Sequence, residues 1–345
     1  MNGSTPGYVD TLGFLGDVGF PMFDPETLEN ARKSGVILFH LTTAAPFRGW
    51  EENIQYHERI MQALEQNSDT FLVVRSASDV VLQARTGKIG VIPGIQDPEF
   101  IGDRLDRLEI LYNRGVRIMQ VAYQKKNPYG AGFLAEDQDS GLTGLGRDFV
   151  KEVSRAGMIL DLSHLSPLTA LDCLQVCEGP VMISHTTARD IYPHPRGSLD
   201  KVLEALSHQE DTLAGILAMT FFLDKTNTSL EPLVRHIRHV ADIIGLQKVA
   251  VGSDGPVGGF TDLNAAEKGF REIMGPIIDP EGKLGSRWPT HIPEFSHGPD
   301  GFENLRKAIE PFFTPREVEG ILGGNGLRWF SRALPGGDFS RGGAK

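Results

Sequence analysis

The chain has 345 residues, 40% of them hydrophobic, and a formal net charge of −11. That balance excludes a nucleic-acid binder or a protein of acidic membrane surfaces, since both need a basic face. No apolar run approaches the ~20 residues that span a bilayer, and the opening MNGSTPGYVD lacks the basic and apolar regions of a secretory signal, so a cytoplasmic protein is expected.

In chain order, short β-branched or apolar runs predict strands at 7–14, 35–41, 88–95, 116–122, 158–163, 181–185, 214–220 and 248–253. Segments with apolar residues at helical spacing lie between them: Glu52–Gln66, Glu99–Asn113, Leu145–Ala156, Leu199–Ser207 and Leu230–Ile244. FLVVRS (71–76) breaks the alternation and is placed outside the main set. Near-continuous apolar strands separated by helices predict an α/β fold, a (β/α)₈ TIM barrel. An open doubly wound sheet is the runner-up, but its glycine-rich phosphate loop is missing. Residues 1–333 read as a single domain, and Leu334–Lys345 as a disordered tail. Cys173 and Cys177 share a helix face and read as small, semi-buried thiols.

A barrel of this kind carries its reactive groups at the C-terminal ends of its strands. Those ends offer Asp161-Leu162-Ser163-His164, Ser184-His185, Ser253-Asp254, His40, Gln96-Asp97, and Tyr123 with Asn127 just beyond. His164 and His185 on adjacent strands, with Asp254 on the last, form a candidate metal-ligand or acid/base set. His236 and His239, one turn apart in HIRHV, read as a solvated helix face. His57, His194, His208, His291 and His297 stand without companions in sequence.

DLSHLS (161–166), ISHTTAR (183–189) with HPR (194–196), GVRIMQVAYQKKNPYGAG (115–132), GLTGLGRDFVKEVSRAGMILDLSH (141–164) and GGNGLRWF (323–330) resemble the membrane dipeptidase family of metallopeptidases. The similarity runs from about Val9 to Phe330. It implies a (β/α)₈ barrel with two zinc ions bridged by a carboxylate and a water, hydrolysis of dipeptides, and homodimers. By this resemblance His164 and His185 match the histidines of the second metal position. Arg196 matches the arginine that binds the substrate carboxylate, and Asp254 the aspartate that handles the proton.

The chain departs from the family at the first metal position. The family's Asp-Gly-His-x-Asp is here Asp10-Thr11-Leu12-Gly13-Phe14, and Leu12 and Phe14 cannot ligate a metal. The bridging glutamate is replaced in Gly94-Ile95-Gln96-Asp97 by the neutral Gln96, and a histidine that polarises the carbonyl matches Tyr123. Two close divalent ions need anionic ligands, so at most one ion, zinc or another divalent metal, is expected. Its ligands would be His164 and His185, with Asp97, Asp254, Gln96 or His40 as possible additions.

A dipeptidase-like hydrolase of a dipeptide or small amino-acid-derived amide follows. Asp254 and Tyr123 would be its catalytic groups, and Arg196, Tyr123 and Asn127 would contact the substrate. The alternatives are a repurposed, metal-free isomerase, lyase or tautomerase, or a non-catalytic ligand binder. A small-molecule substrate, a homodimer, and no nucleic-acid or membrane partner complete the expectation. The Gly- and Pro-rich loop at about 255–300, with Trp288, His291 and His297, is where specificity is expected to lie.

Overall fold

The apolar runs pair because a strand buried on both faces has no other way to satisfy its backbone polar groups. The computed structural model describes residues 7–16, 23–273, 275–278 and 290–337. Trp288 and residues 338–345 therefore lie outside the described residues. Strands β1 (Tyr8–Gly13), β2 (Val36–Thr42), β3 (Phe71–Val73), β4 (Ile89–Ile95), β5 (Ile118–Gln120), β6 (Ile159–Asp161), β7 (Val181–Thr186), β8 (Thr212–Leu217) and β9 (Val249–Gly252) pair in parallel throughout. The order β2-β1-β9-β8-β7-β6-β5-β4, closed by β2 on β4, is an eight-stranded barrel.

The short run at 71–73 becomes β3, which is not one of the eight. It pairs Ile89–Val91 of β4, on the edge where β5 meets only Gly94 and Ile95. β3 thus closes the lower part of a gap that the three-residue β5 leaves open.

The helices that follow or separate the strands include α1 (Pro25–Lys33), α2 (Trp50–Gln66), α3 (Ala77–Thr86), α4 (Arg107–Asn113), α5 (Gly144–Arg155), α6 (Pro167–Val176), α7 (Asp200–Ser207), α8 (Thr220–Leu223), α9 (Glu231–Ile244) and α10 (Leu263–Ile273). Local chemistry sets their ends. Asp24 accepts the first-turn N–H groups of α1, Ser76 caps α3, and Thr143 caps α5. Gly87, at φ +69°, ends α3 in a left-handed conformation that glycine adopts without Cβ strain.

Inside the barrel the lowest layer is apolar: Val9, Leu38, Ile92, Ile118, Ile159, Met182, Leu213 and Ala250. Trp329 and Phe330, from the C-terminal helix Asn325–Ala333, close it from below, and Leu334 is buried with them. Burying such a side chain stabilises the fold by roughly 1.5–3 kcal/mol.

The next layer is polar, with Thr11, His40, Gln120, Asp161 and Ser184 all buried. Glycines make room for it. A Cβ at Gly94 would collide with the His40 ring, and one at Gly215 with Thr11 Oγ1 and the Ser184 carbonyl.

The helix face at HIRHV is not solvated as the sequence suggested. His236 is fully buried: its Nε2–H donates to the Leu223 carbonyl and its Nδ1 accepts the Ala188 N–H, each at 2.9 Å. His239 is half-buried and bonds Asp200 at 2.8 Å. The segments after β7 and β8 reach α9 and cover His236, while α7 supplies the partner of His239.

Candidate active site

The site is built on β6 and β7. Asp161, at the end of β6, accepts Ser163 N–H (3.0 Å), Ser163 Oγ–H (2.8 Å), Ser184 N–H (2.8 Å) and Ser184 Oγ–H (2.6 Å). Both hydroxyl hydrogens are directed at the carboxylate, so Ser184 Oγ is left to accept from His185 Nδ1–H, at 2.7 Å. That chain fixes the His185 tautomer and presents the Nε2 lone pair to the cavity.

His164 Nε2 lies 2.9 Å from His185 Nε2. With the His185 lone pair directed between the rings, either His164 donates its own Nε2–H or a cation sits between them. Two nitrogens at ~2.05 Å from a tetrahedral ion would be about 3.3 Å apart, so a small opening accommodates one. Burial and the neighbouring Arg196 hold both imidazoles well below the ordinary histidine range, so both stay neutral and ligand-competent.

Among the described residues only Phe47, His164 and Asp254 are non-glycine residues at left-handed φ, at 60°, 67° and 52°. Such conformations cost about 1–3 kcal/mol each and persist where surrounding packing enforces them. All three belong to one chain of contacts through Tyr123 and His185. Phe47 packs edge-on to Tyr123 (6.4 Å between ring centroids), and Tyr123 lies on His164 (4.4 Å). Asp254 Oδ2 is 4.0 Å from His185 Nε2. Burial lifts its carboxyl to about 6 against the pull of Arg196 and His291.

Arg196 is buried. Its Nη2 donates to the His185 carbonyl at 2.8 Å, while Nη1 has no hydrogen-bond partner. Burial pulls the guanidinium down to about 10, and it remains charged at neutral pH. An unpaired buried guanidinium nitrogen beside the histidine pair is a ready carboxylate receptor. Burial and the charge of Asp254 raise the Tyr123 phenol, so it stays protonated.

The remaining candidates are placed elsewhere or are committed to other contacts. Asp97 accepts Phe47 N–H and Glu99 N–H, both at 3.2 Å, and so ties two loops together. Asn127 is committed to its own turn: Nδ2 donates to the Val121 carbonyl (2.8 Å), and Oδ1 accepts Tyr129 and Gly130 N–H (2.9 and 3.1 Å). His40 lies within the barrel, in its polar layer, with Nδ1–H on the Thr11 carbonyl at 3.1 Å. Burial lowers it to about 4. Gln96 is half-buried at the end of β4.

No group of three or more His, Cys, Asp or Glu side chains among the described residues is arranged to hold a metal ion. The two-ion centre does not fit this chain: Leu12 and Phe14 supply no ligand, and Gln96 no bridging charge. What the chain keeps of a metal position is the two converging Nε2 atoms of His164 and His185, 2.9 Å apart.

The sequence reading did not single out Phe47, the Asp161–serine cradle, or the contact between Glu267 and His291. A phenylalanine in Ala-Pro-Phe and a glutamate on an amphipathic helix carry no local signal of these roles.

A model of the membrane dipeptidase family, peptidase family M19, matches residues 13–274. The chain is 32% identical over 278 residues to dipeptidase tcpJ of Claviceps purpurea, covering 78% of this chain and 60% of that one. To dipeptidase verJ of Clonostachys rogersoniana it is 31% identical over 216 residues, covering 61% and 54%. The chain thus spans little more than half the length of these relatives. Among solved structures, an amidohydrolase from Pseudomonas aeruginosa superposes with a TM-score of 0.80 at 23% identity, covering 95% of this chain and 97% of that one. A metallopeptidase from Rhodobacter sphaeroides, liganded with a phosphinate mimic of L-Ala-D-Ala, gives 0.77 at 18%, covering 96% and 100%. These likenesses agree with the barrel traced above. The chain belongs to the membrane dipeptidase family of peptidases, M19.

Proposed function

We propose that this chain is a dipeptidase-like hydrolase of a dipeptide or small amino-acid-derived amide, working with at most one divalent ion, zinc by preference. The observation that carries the reading is the convergence of His164 and His185 Nε2, 2.9 Å apart, beside the unpaired Nη1 of buried Arg196. A divalent ion at that pair, when bound, supplies Lewis-acid polarisation of the amide carbonyl and lowers the pKa of nearby water.

The chain's own groups do the rest. Arg196 Nη1 takes the substrate carboxylate and orients the amide. Tyr123, protonated and seated on His164, walls the cavity and can donate its O–H to a carbonyl oxygen. Asp254, on the opposite rim, carries the proton that must reach the departing amine. Homodimer formation, which the resemblance implies, belongs to the same proposal and is checked by light scattering.

The test is a panel of dipeptides given to the purified protein with and without added zinc, alongside a metal analysis. Hydrolysis of at least one member, with no more than one ion per chain, is expected. Absence of turnover across the panel with zinc present would end this reading.

A further inference from the structure

A second polar pair lies beyond Phe14, behind Phe260. Glu267 on α10 and His291, in the segment after it, are both buried. The Glu267 carboxylate accepts Thr290 N–H (2.9 Å), Thr290 Oγ1–H (2.8 Å), His291 N–H (2.9 Å) and His291 Nδ1–H (3.0 Å). Burial works to raise that carboxyl, but the His291 and Thr290 hydrogen bonds outweigh it and hold it below the usual glutamate range. An ionised carboxylate on Nδ1 places the hydrogen there and leaves the lone pair on Nε2. Nε2 has no hydrogen-bond partner, although His291 is only 1% exposed. Leaving such a nitrogen bare costs about 1–3 kcal/mol unless water or a ligand takes it up.

The ring is aimed by its surroundings. Phe260 and Phe270 meet it edge-on at 4.9 and 5.4 Å, and its backbone bridges to Met219, just past β8. Phe260 in turn packs on Phe14, which stands where the first metal position would have a ligand, at 6.3 Å. With Nδ1 facing α10, Nε2 points away from that helix. The histidine is within electrostatic reach of Asp254. A carboxylate that fixes an imidazole tautomer and supports its charge is how hydrolytic triads orient their base.

We propose that Glu267 and His291 form a proton-accepting dyad that serves the cavity from its metal-poor half. The proposal rests on the hydrolase reading. His291 is the catalytic residue and Glu267 its positioning residue. As the water oxygen bonds to the amide carbonyl carbon, one water proton moves to His291 Nε2, and Glu267 stabilises the imidazolium. As the C–N bond breaks, that proton passes through Asp254 to the amine nitrogen, so His291 returns neutral and no proton is left over. A site limited to one ion activates water less, and a separate base makes up part of the difference.

Two measurements on the full chain test this. His291→Gln is expected to lower kcat at least 100-fold with KM within about threefold, and Glu267→Gln to lower kcat about tenfold. Glu267→Gln, nearly isosteric, serves alone if His291→Gln does not fold. A histidine that merely anchors its segment would leave kcat within about threefold in folded variants, which overturns the proposal.

The second readout needs no turnover. Nitrogen-15 spectra of the protein should show His291 as the Nδ1–H tautomer, with an Nε2 signal that shifts when a phosphinate dipeptide mimic is added. Glu267→Gln should lose the fixed tautomer. A protonated Nε2, or a ring indifferent to the mimic, overturns the dyad. If the wild type cleaves no dipeptide, the hydrolase reading fails by itself. A fixed tautomer with a mimic-sensitive Nε2 then keeps the dyad as the cavity's base for another bond.

Discussion

The two halves of the cavity share one supporting device and differ in what it supports. At β6 and β7, Asp161 grips the backbone and hydroxyl of Ser184. At β1 and β9, Asp10 grips Ser253 in the same way, through N–H at 2.9 Å and Oγ–H at 2.5 Å, and also takes Leu12 N–H. In the first half the serine passes its constraint on to His185. In the second the neighbouring side chains are Leu12 and Phe14, and Ser253 Oγ accepts only Gly255 N–H. Burial lifts the Asp10 carboxyl to about 7 against its hydrogen bonds. A strand-end aspartate clamp is thus part of how the barrel closes, and a histidine pair stands on it on one side only.

The sharpest way to break this comparison is to delete a histidine of the retained half. His185→Ala is expected to lower kcat/KM for the best dipeptide at least 1,000-fold, about 4 kcal/mol of transition-state stabilisation. Steady-state kinetics on folded protein checks it. A loss under tenfold would mean that the histidine pair is structural.

Matched serine deletions compare the halves directly. Ser184→Ala removes the acceptor that fixes the His185 tautomer, so activity should fall about 10–100-fold. Ser253→Ala should lose comparable stability, about 1–2 kcal/mol, with activity within about fivefold. Denaturant melts and kinetics on both proteins decide it. Equal activity losses would erase the distinction between the halves.

Much of this division was legible in the sequence. Each predicted strand lies within a few residues of an observed one, because fully buried parallel strands read as continuous apolar runs. The meeting of His164 and His185 followed from two strand ends on neighbouring strands, and the altered first position from Leu12, Phe14 and Gln96. What the sequence did not carry was contact across loops. Asp97 and Asn127 read as site residues because they follow strands, yet their polar atoms are committed to turns. His291 and Glu267 lie 24 residues apart, and the period of α10 orients Glu267 but says nothing of a partner beyond the helix. His236 read as solvated because helix spacing shows which residues share a face, but not which loops will cover it.

Arg196→Lys probes a smaller effect on the substrate side of the retained half. Lysine keeps the charge but loses the planar fork, and with it the bond to the His185 carbonyl. KM is expected to rise about tenfold with kcat nearly unchanged, the signature of lost ground-state binding. A fall in kcat at constant KM would move Arg196 from holding the substrate to holding His185.

The smallest effect tests whether the retained half depends on its outer helix. His236 ties α9 to Ala188, in the loop that leads from β7 toward Arg196, and accepts that N–H only while neutral. Burial lowers its pKa to about 4, against an ordinary value of 6.5. The folded state therefore binds fewer protons than the unfolded state between those values. Its contribution is fully present above about 6.5 and is lost as pH falls toward 4. At pH 5 the loss is about 2 kcal/mol relative to pH 8, from ~1.4 kcal/mol per pH unit. His236→Gln should be less stable at pH 8 and should flatten the pH dependence by that amount in thermal or denaturant melts. Because protonation must break the Ala188 bond, a variant whose stability still falls with the wild-type slope would show that the loop bearing Arg196 is held by other contacts.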